Sequence, residues 1–210
     1  MDLTPFFERY ERLLNGGDQA FGRAGREYGP CMKCVTGCSD CCHAVFGLFL
    51  IEALYLQVHF AGLGRKERRA ALLRAKKSET ALGKLEGALK TAGLDLRATS
   101  DLLARSRARC PLLDEKDLCV LYPHRPLTCR VYGMPVVVQG KIRICGKAAF
   151  KKQPSYPAFD LDDAHRGLYL LSRDVLAAAG SADPEKAALV VSVPRALGTP
   201  FEAIISESFQ

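Results

Sequence analysis

Nine cysteines fall into two blocks of this 210-residue chain. Cys31, Cys34, Cys38, Cys41 and Cys42 form the first, CMKCVTGCSDCC. Cys110, Cys119, Cys129 and Cys145 form the second, and the 67 residues between the blocks hold no thiol. Thiolates are metal ligands and redox nucleophiles, and scattered structural thiols have no reason to sort themselves this way. The distribution predicts a composite site in which two distant segments meet at metal.

Spacings of three and four place Cys31, Cys34, Cys38 and Cys41 on one helical face, while Gly37 argues equally for a loop that wraps a metal. Cys41 and Cys42 are more telling. Neighbouring side chains diverge, so this pair suits two metals, a cluster of several irons, or one ligand beside a non-ligating thiol better than a lone tetrahedral zinc. The second block is spaced by 9, 10 and 16 residues, distances that turns and a hairpin can close. Arg125 and Arg130 flank Cys129, where cations would offset thiolate charge. His43 and His124 read as ordinary histidines beside the site, and Tyr122 and Tyr132 as rings packed over it.

The elements that must position these thiols are mainly helical. Thr4-Pro5 starts a helix with Phe6, Phe7, Tyr10, Leu13 and Leu14 on one face, and Asn15-Gly16-Gly17 is expected to end it. A second helix is predicted over Gln19–Glu27, then an extended segment over Val45–Leu48 and a helix over Ile51–Phe60. Arg65–Lys77 and Glu79–Thr91 read as two helices or one long one, with Leu72, Leu73, Leu82, Leu85 and Leu89 inward. Asp101–Arg107 adds a turn or two. Pro and Gly punctuation around the second block implies short strands and tight turns, and Val136–Gln139, Gly140 and Lys141–Ile144 read as a β-hairpin. Leu161–Ala179 is a helix with Leu168, Leu171, Val175 and Leu176 on its apolar side, and Ala187–Val193 fits either helix or strand. The fold class is therefore mostly α with a small irregular β element (α+β), organised as a single metal-organised domain over 1–210. Its motif core lies at about 34–146, with a basic helical insertion at about 65–109 and a C-terminal helix at about 161–179.

A chain this long buries enough apolar surface to fold without disulfides or metal as its only support. Met1–Leu14 lacks the apolar core of a secretion signal, and the apolar run Ala44–Ile51 is too short to span a bilayer. No membrane partner is expected, and the reading places the protein in the cytoplasm, where thiols stay reduced. The net charge of +7 is concentrated: 65–109 carries 13 Lys and Arg against 5 Asp and Glu. That excess is either the solvated face of surface helices or a surface for nucleic acid or an acidic protein, although the segment has no aromatic residue to stack on bases.

CVTGCSDCC, CPLLDEKDLCVLYPHRPLTC and the trailing RVYG together resemble the YkgJ-type cysteine-cluster family, described as a zinc- or iron-chelating domain. Cys38, Cys41 and Cys42 match its Cys-x2-Cys-Cys run. Cys110, Cys119, Tyr122, Arg125, Pro126, Cys129, Arg130 and Tyr132 match the second half in order, and Cys145 matches a later cysteine. The resemblance implies metal ligation by Cys38, Cys41, Cys42, Cys110, Cys119, Cys129 and Cys145. Two departures stand out: Gly133 where members often have Pro, and the upstream pair Cys31 and Cys34, left as additional candidates.

Seven thiols exceed one four-ligand zinc site and fall short of two, whereas an iron–sulfur cluster takes four. The surplus and the Cys41–Cys42 pair favour an iron–sulfur cluster over zinc, as does a resemblance to flagellin lysine N-methylases with a similar motif. The expected function is metal binding with a redox or metal-handling role. One alternative is a cluster-dependent enzyme of the protein-lysine methyltransferase type, although the chain has no GxGxxG loop and no P-loop. Cys34-x3-Cys38-x2-Cys41 has radical-SAM spacing without the barrel pattern around it. A second alternative is a basic interaction module.

Overall fold

The computed structural model describes residues 1–93, 95–151, 156–181, 183–200 and 203–204. The expected class holds: seven helices and one small mixed sheet are formed by the described residues. Helix α2 (Leu50–Ala61) lies at the centre, with Leu50 to Leu56 and Phe60 all buried. A helix apolar on every side must be surrounded. Helix α1 (Thr4–Tyr28) covers it through Tyr10 and Leu14, and α6 (Leu161–Ala178) through Leu168, Leu171 and Val175. The short α7 (Val193–Gly198) closes a third side, where Gln57 of α2 donates to the carbonyls of Ala196 and Thr199 at 2.6 and 2.5 Å. A buried serine joins α6 to α2: Ser172 Oγ accepts from the Ile51 amide at 3.2 Å and donates to the Leu168 carbonyl.

Three expectations need correction. α1 does not stop at Asn15-Gly16-Gly17 but runs on to Tyr28. Gly17 serves packing instead of termination, since a Cβ there would stand 2.8 Å from Leu127 Cδ1 and 3.3 Å from Val131 Cγ1. Helix α3 (Arg65–Ala92) is the one long helix that the reading allowed, but its buried positions are Ala71, Ala75 and Ser78. Leu72 and Leu73 face solvent, because small residues let α3 lie close where leucines would hold it away. Helix α4 (Leu96–Arg105) starts earlier than Asp101, because the Asp95 side chain accepts from the Ala98 amide and fixes its first turn.

The hairpin forms as read. β1 (Val136–Val138) pairs antiparallel with β2 (Lys141–Arg143), in the register Val136 to Arg143 and Val138 to Lys141. Gln139 and Gly140 turn between them with φ of 52° and 67°, and both amides donate to the Asp162 carboxylate. A third strand, β3 (Phe159–Asp160), adds parallel to β1. With only two residues it has no periodicity to reveal it. Ala187–Val193 is neither helix nor strand throughout: a 3-10 turn ends at Ala188, Val191 bridges to Leu48, and α7 begins at Val193. No helix among the described residues is long and apolar enough to cross a membrane.

Candidate metal centre

The two cysteine blocks are sewn together through their backbones. The Cys110 amide donates to the Cys42 carbonyl at 2.7 Å, the Ala108 amide donates to His43, and Ala44 bridges antiparallel to Arg107. Cys119 is placed by a bridge to Leu113. The turn between them is built on Asp114, whose carboxylate accepts from the Lys116 and Leu118 amides at 2.8 Å. Cys129 sits on α5 (Leu127–Val131), a single turn that punctuation alone did not reveal. Gly17 lets that turn approach α1, and Glu52 of α2 accepts from its Leu127 amide at 3.2 Å.

Eight of the nine cysteines line one cavity of about 740 Å³. They are Cys34, Cys38, Cys41, Cys42, Cys110, Cys119, Cys129 and Cys145. All seven thiols singled out by their pattern are therefore brought to one place, and Cys34 joins them. Cys31 does not line the cavity; its carbonyl instead accepts from Ala149, fastening the chain after Cys145. All nine are free thiols. Among the described residues no three His, Cys, Asp or Glu side chains converge closely enough to enclose an ion as they stand. The cysteines are distributed around the walls of the cavity.

Their electrostatics fit a cation. Burial raises the thiol of Cys110 to about 12 and that of Cys129 well above its ordinary value, and the neighbouring thiols Cys41 and Cys119 push both in the same direction. Burial likewise raises Cys119 and Cys145. Cys41 is drawn down by the hydrogen bond from the Cys42 thiol and by the Arg125 charge. Cys42, which keeps the shared proton, is raised. Several soft donors crowded together repel one another when ionised, and a metal ion reverses that balance by paying for deprotonation with coordination.

The flanking residues divide by role. Arg125 stacks over the Tyr122 ring at 4.0 Å and favours the thiolates of Cys34, Cys41 and Cys119. Arg130 is engaged mainly by groups other than the thiols. It lines the cavity and is 8% exposed, with its guanidinium bound to Asp18 at 2.5 Å and to the carbonyls of Pro123 and Arg125. There it fixes the loop that carries Arg125. His43 Nδ1 is taken by the Ser39 carbonyl at 3.0 Å, and His124 is stacked on His59 with ring centres 3.5 Å apart. Tyr122 is largely exposed, while Tyr132 donates to Asp40 Oδ2 at 3.1 Å.

Asp40, Arg107 and Glu52 went unremarked in the sequence. Asp40 lies beside the conspicuous Cys41–Cys42 pair, and its carboxylate receives Arg107 at 2.6 Å, Tyr132 and the Cys145 thiol. Burial works against its charge, but these donors outweigh it and hold the acid below its ordinary range. Glu52 is 3% exposed and accepts from Tyr10, Phe49 and Leu127. An acid in the first turn of an otherwise apolar helix was the available signal.

Residues 31–154 match the family CxxCxxCC, described as "Putative zinc- or iron-chelating domain". Cys38, Cys41 and Cys42 carry the last three cysteines that the name spells, and Cys34 stands one residue upstream of the first. The matched segment includes Cys31 and takes in more than half of the chain. No curated protein and no solved structure matches.

Proposed function

Because the chain belongs to the CxxCxxCC family of zinc- or iron-chelating domains, we propose that its two cysteine blocks hold one composite metal centre. The ligands are drawn from Cys38, Cys41, Cys42, Cys110, Cys119, Cys129 and Cys145, within a single cytoplasmic domain. The observation that carries this reading is the cavity lined by thiols of both blocks, beside the hydrogen bond that joins Cys42 to Cys110. An iron–sulfur cluster is favoured over zinc, since Cys41 and Cys42 both face the cavity and more than four thiolates are within its walls. Bound there, a cluster would supply one-electron chemistry or act as stored or transferred metal. Arg125 would balance the thiolate charge, and Glu52 would hold the turn that carries Cys129.

Protein purified without oxygen or chelator and subjected to metal analysis and visible spectroscopy tests this. A broad brown absorption with stoichiometric iron is expected. A colourless zinc-loaded protein replaces the cluster with zinc, and protein containing neither metal contradicts the reading.

The size of the cavity favours a second reading, a cluster-dependent catalyst. About 740 Å³ lies within the range of pockets for small molecules, and Val45, Phe46, Leu82, Leu85, Leu103 and Val190 supply apolar wall. Calorimetry with S-adenosylmethionine tests the methyl-transfer version, and absence of binding removes it. A polyanion-binding role for 65–109 finds less support. Arg74 and Arg109 of that segment donate to the carbonyls of Pro111 and Asp114, and Arg107 is bound to Asp40.

A further inference from the structure

We propose that His59 and His124 form a pH-sensitive latch on the turn beside the thiol cavity, closed while the rings are neutral and opened when both are protonated. The latch stands whichever metal the thiols hold.

Its geometry is a ring stack between two elements. His59 lies in the last turn of α2, and His124 ends the 3-10 turn Tyr122–His124. Their ring centres are 3.5 Å apart, with 8° between the planes. Rings in such contact suit two neutral imidazoles, whereas two imidazolium ions there repel each other. Tyr55 of α2 packs edge-on against His59 with ring centres 4.3 Å apart, and its hydroxyl stands 3.5 Å from His124 Nδ1. That hydroxyl donates to Glu11 of α1 at 3.0 Å.

The turn held by the stack belongs to the cavity wall. Tyr122 and Arg125 both line the cavity, and Arg125 lies over the Tyr122 ring at 4.0 Å. Arg130 of α5 grips the same stretch through the carbonyls of Pro123 and Arg125. Displacing His124 from α2 therefore displaces the residues that border the thiols on this side.

The charges around the pair admit one proton more readily than two. Glu11 favours a charge on either ring, and the C-terminal end of α2 favours one on His59. Burial opposes both charges; His124 further opposes a charge on His59, and Arg130 one on His124. Both rings are thereby held below the ordinary histidine value, so the folded state binds these protons less tightly than the unfolded chain. The stack contributes stability above about pH 6.5 that is lost as pH falls. Glu52, raised by burial to about 7, titrates in the opposite sense, so signals specific to the rings must read the latch.

The test is an NMR titration of the full chain with its resident metal, from pH 8 to pH 5, combined with hydrogen exchange. Overhauser contacts between the two rings are expected at pH 8 and should vanish by pH 5. Protection of the His124 amide, which donates to the Leu121 carbonyl at 2.9 Å, should fall at least about tenfold over the same range after correction for intrinsic exchange. His59→Gln removes the repulsion, so it should keep that protection at pH 5 and raise the titration midpoint of His124 by at least about half a pH unit. His124→Gln should raise the midpoint of His59 equally, because the coupling is reciprocal. Ring contacts that persist at pH 5, or midpoints unmoved in both variants, overturn the latch. An equal loss of His124 protection in His59→Gln also overturns it, since acid release of the metal would then suffice.

Discussion

The helical side of the molecule and its cysteine side are held together by different means. In α1, α2 and α6 the regular backbone satisfies itself, and Tyr10, Leu54, Leu168 and Val175 are fully buried in the interior. The segments 31–44 and 107–146 have little regular structure. They are held by isolated bridges, by Asp114 and Asp40 accepting backbone and side-chain donors, and by the contact of α5 with Gly17 and Glu52. The thiols gather where regular structure is scarce, while Leu112, Leu121, Leu127, Val131 and Met134 of the second segment anchor it to the core. A core that folds by burial can support a site held by few elements, and a metal bound by the proposed centre would add cohesion there.

Removing metal should separate the two sides more than any substitution. Structural zinc contributes about 10–16 kcal/mol in small peptides. Chelation is therefore expected to abolish hydrogen-exchange protection at the Cys110 and Val120 amides, which donate to the Cys42 and Leu112 carbonyls, while the amides of α2 and α6 stay protected. Uniform loss in both regions would break the comparison. Leu168→Ala should act in the opposite sense, lowering overall stability by about 2–5 kcal/mol with stoichiometric metal retained in the folded fraction, as read by denaturant unfolding and metal analysis.

Glu52 spans the two sides and gives a pH signature. Burial raises its acid to about 7 from 4.5, so the folded state holds the proton more tightly than the unfolded one. Its stabilising contribution is complete below about pH 4.5 and is lost as pH rises to about 7, a change of roughly 3 kcal/mol. Unfolding measured across that window should fall more steeply for the wild type than for Glu52→Gln, and parallel curves would remove Glu52 from the account. Gly17→Ala should cost about 1–3 kcal/mol by forcing Leu127 and Val131 away, and it should weaken metal retention because α5 carries Cys129. The smallest effect belongs to the surface: Arg9→Ala, which breaks an exposed pair with Asp174 at 2.8 Å, should cost less than about 1 kcal/mol.

The sequence made long periodic elements legible, together with the composition of the site. Leu161–Ala179 was read within one residue of α6, and Val136–Ile144 gave the hairpin, because periodicity and turn chemistry act locally there. Gly16-Gly17 misled because its role depends on Leu127, over a hundred residues away. Leu72 and Leu73 of α3 misled because Ala71 and Ala75 carry little hydropathy yet allow a close approach. The seven patterned cysteines all reach one cavity, but Asp40 could not be distinguished from any other acid until Arg107, Tyr132 and Cys145 were found around it. Positions fixed by neighbours in sequence can be read from sequence. Those fixed by distant partners cannot.

The most direct test of the central claim is alkylation of the metal-loaded protein under anaerobic, non-denaturing conditions, with each cysteine quantified by mass spectrometry before and after chelation. The composite centre predicts that Cys41 and Cys42 of the first block and Cys110, Cys119 and Cys129 of the second are protected together and become reactive together. Protection confined to one block, with the other alkylated at the same rate whether or not metal is bound, would contradict it.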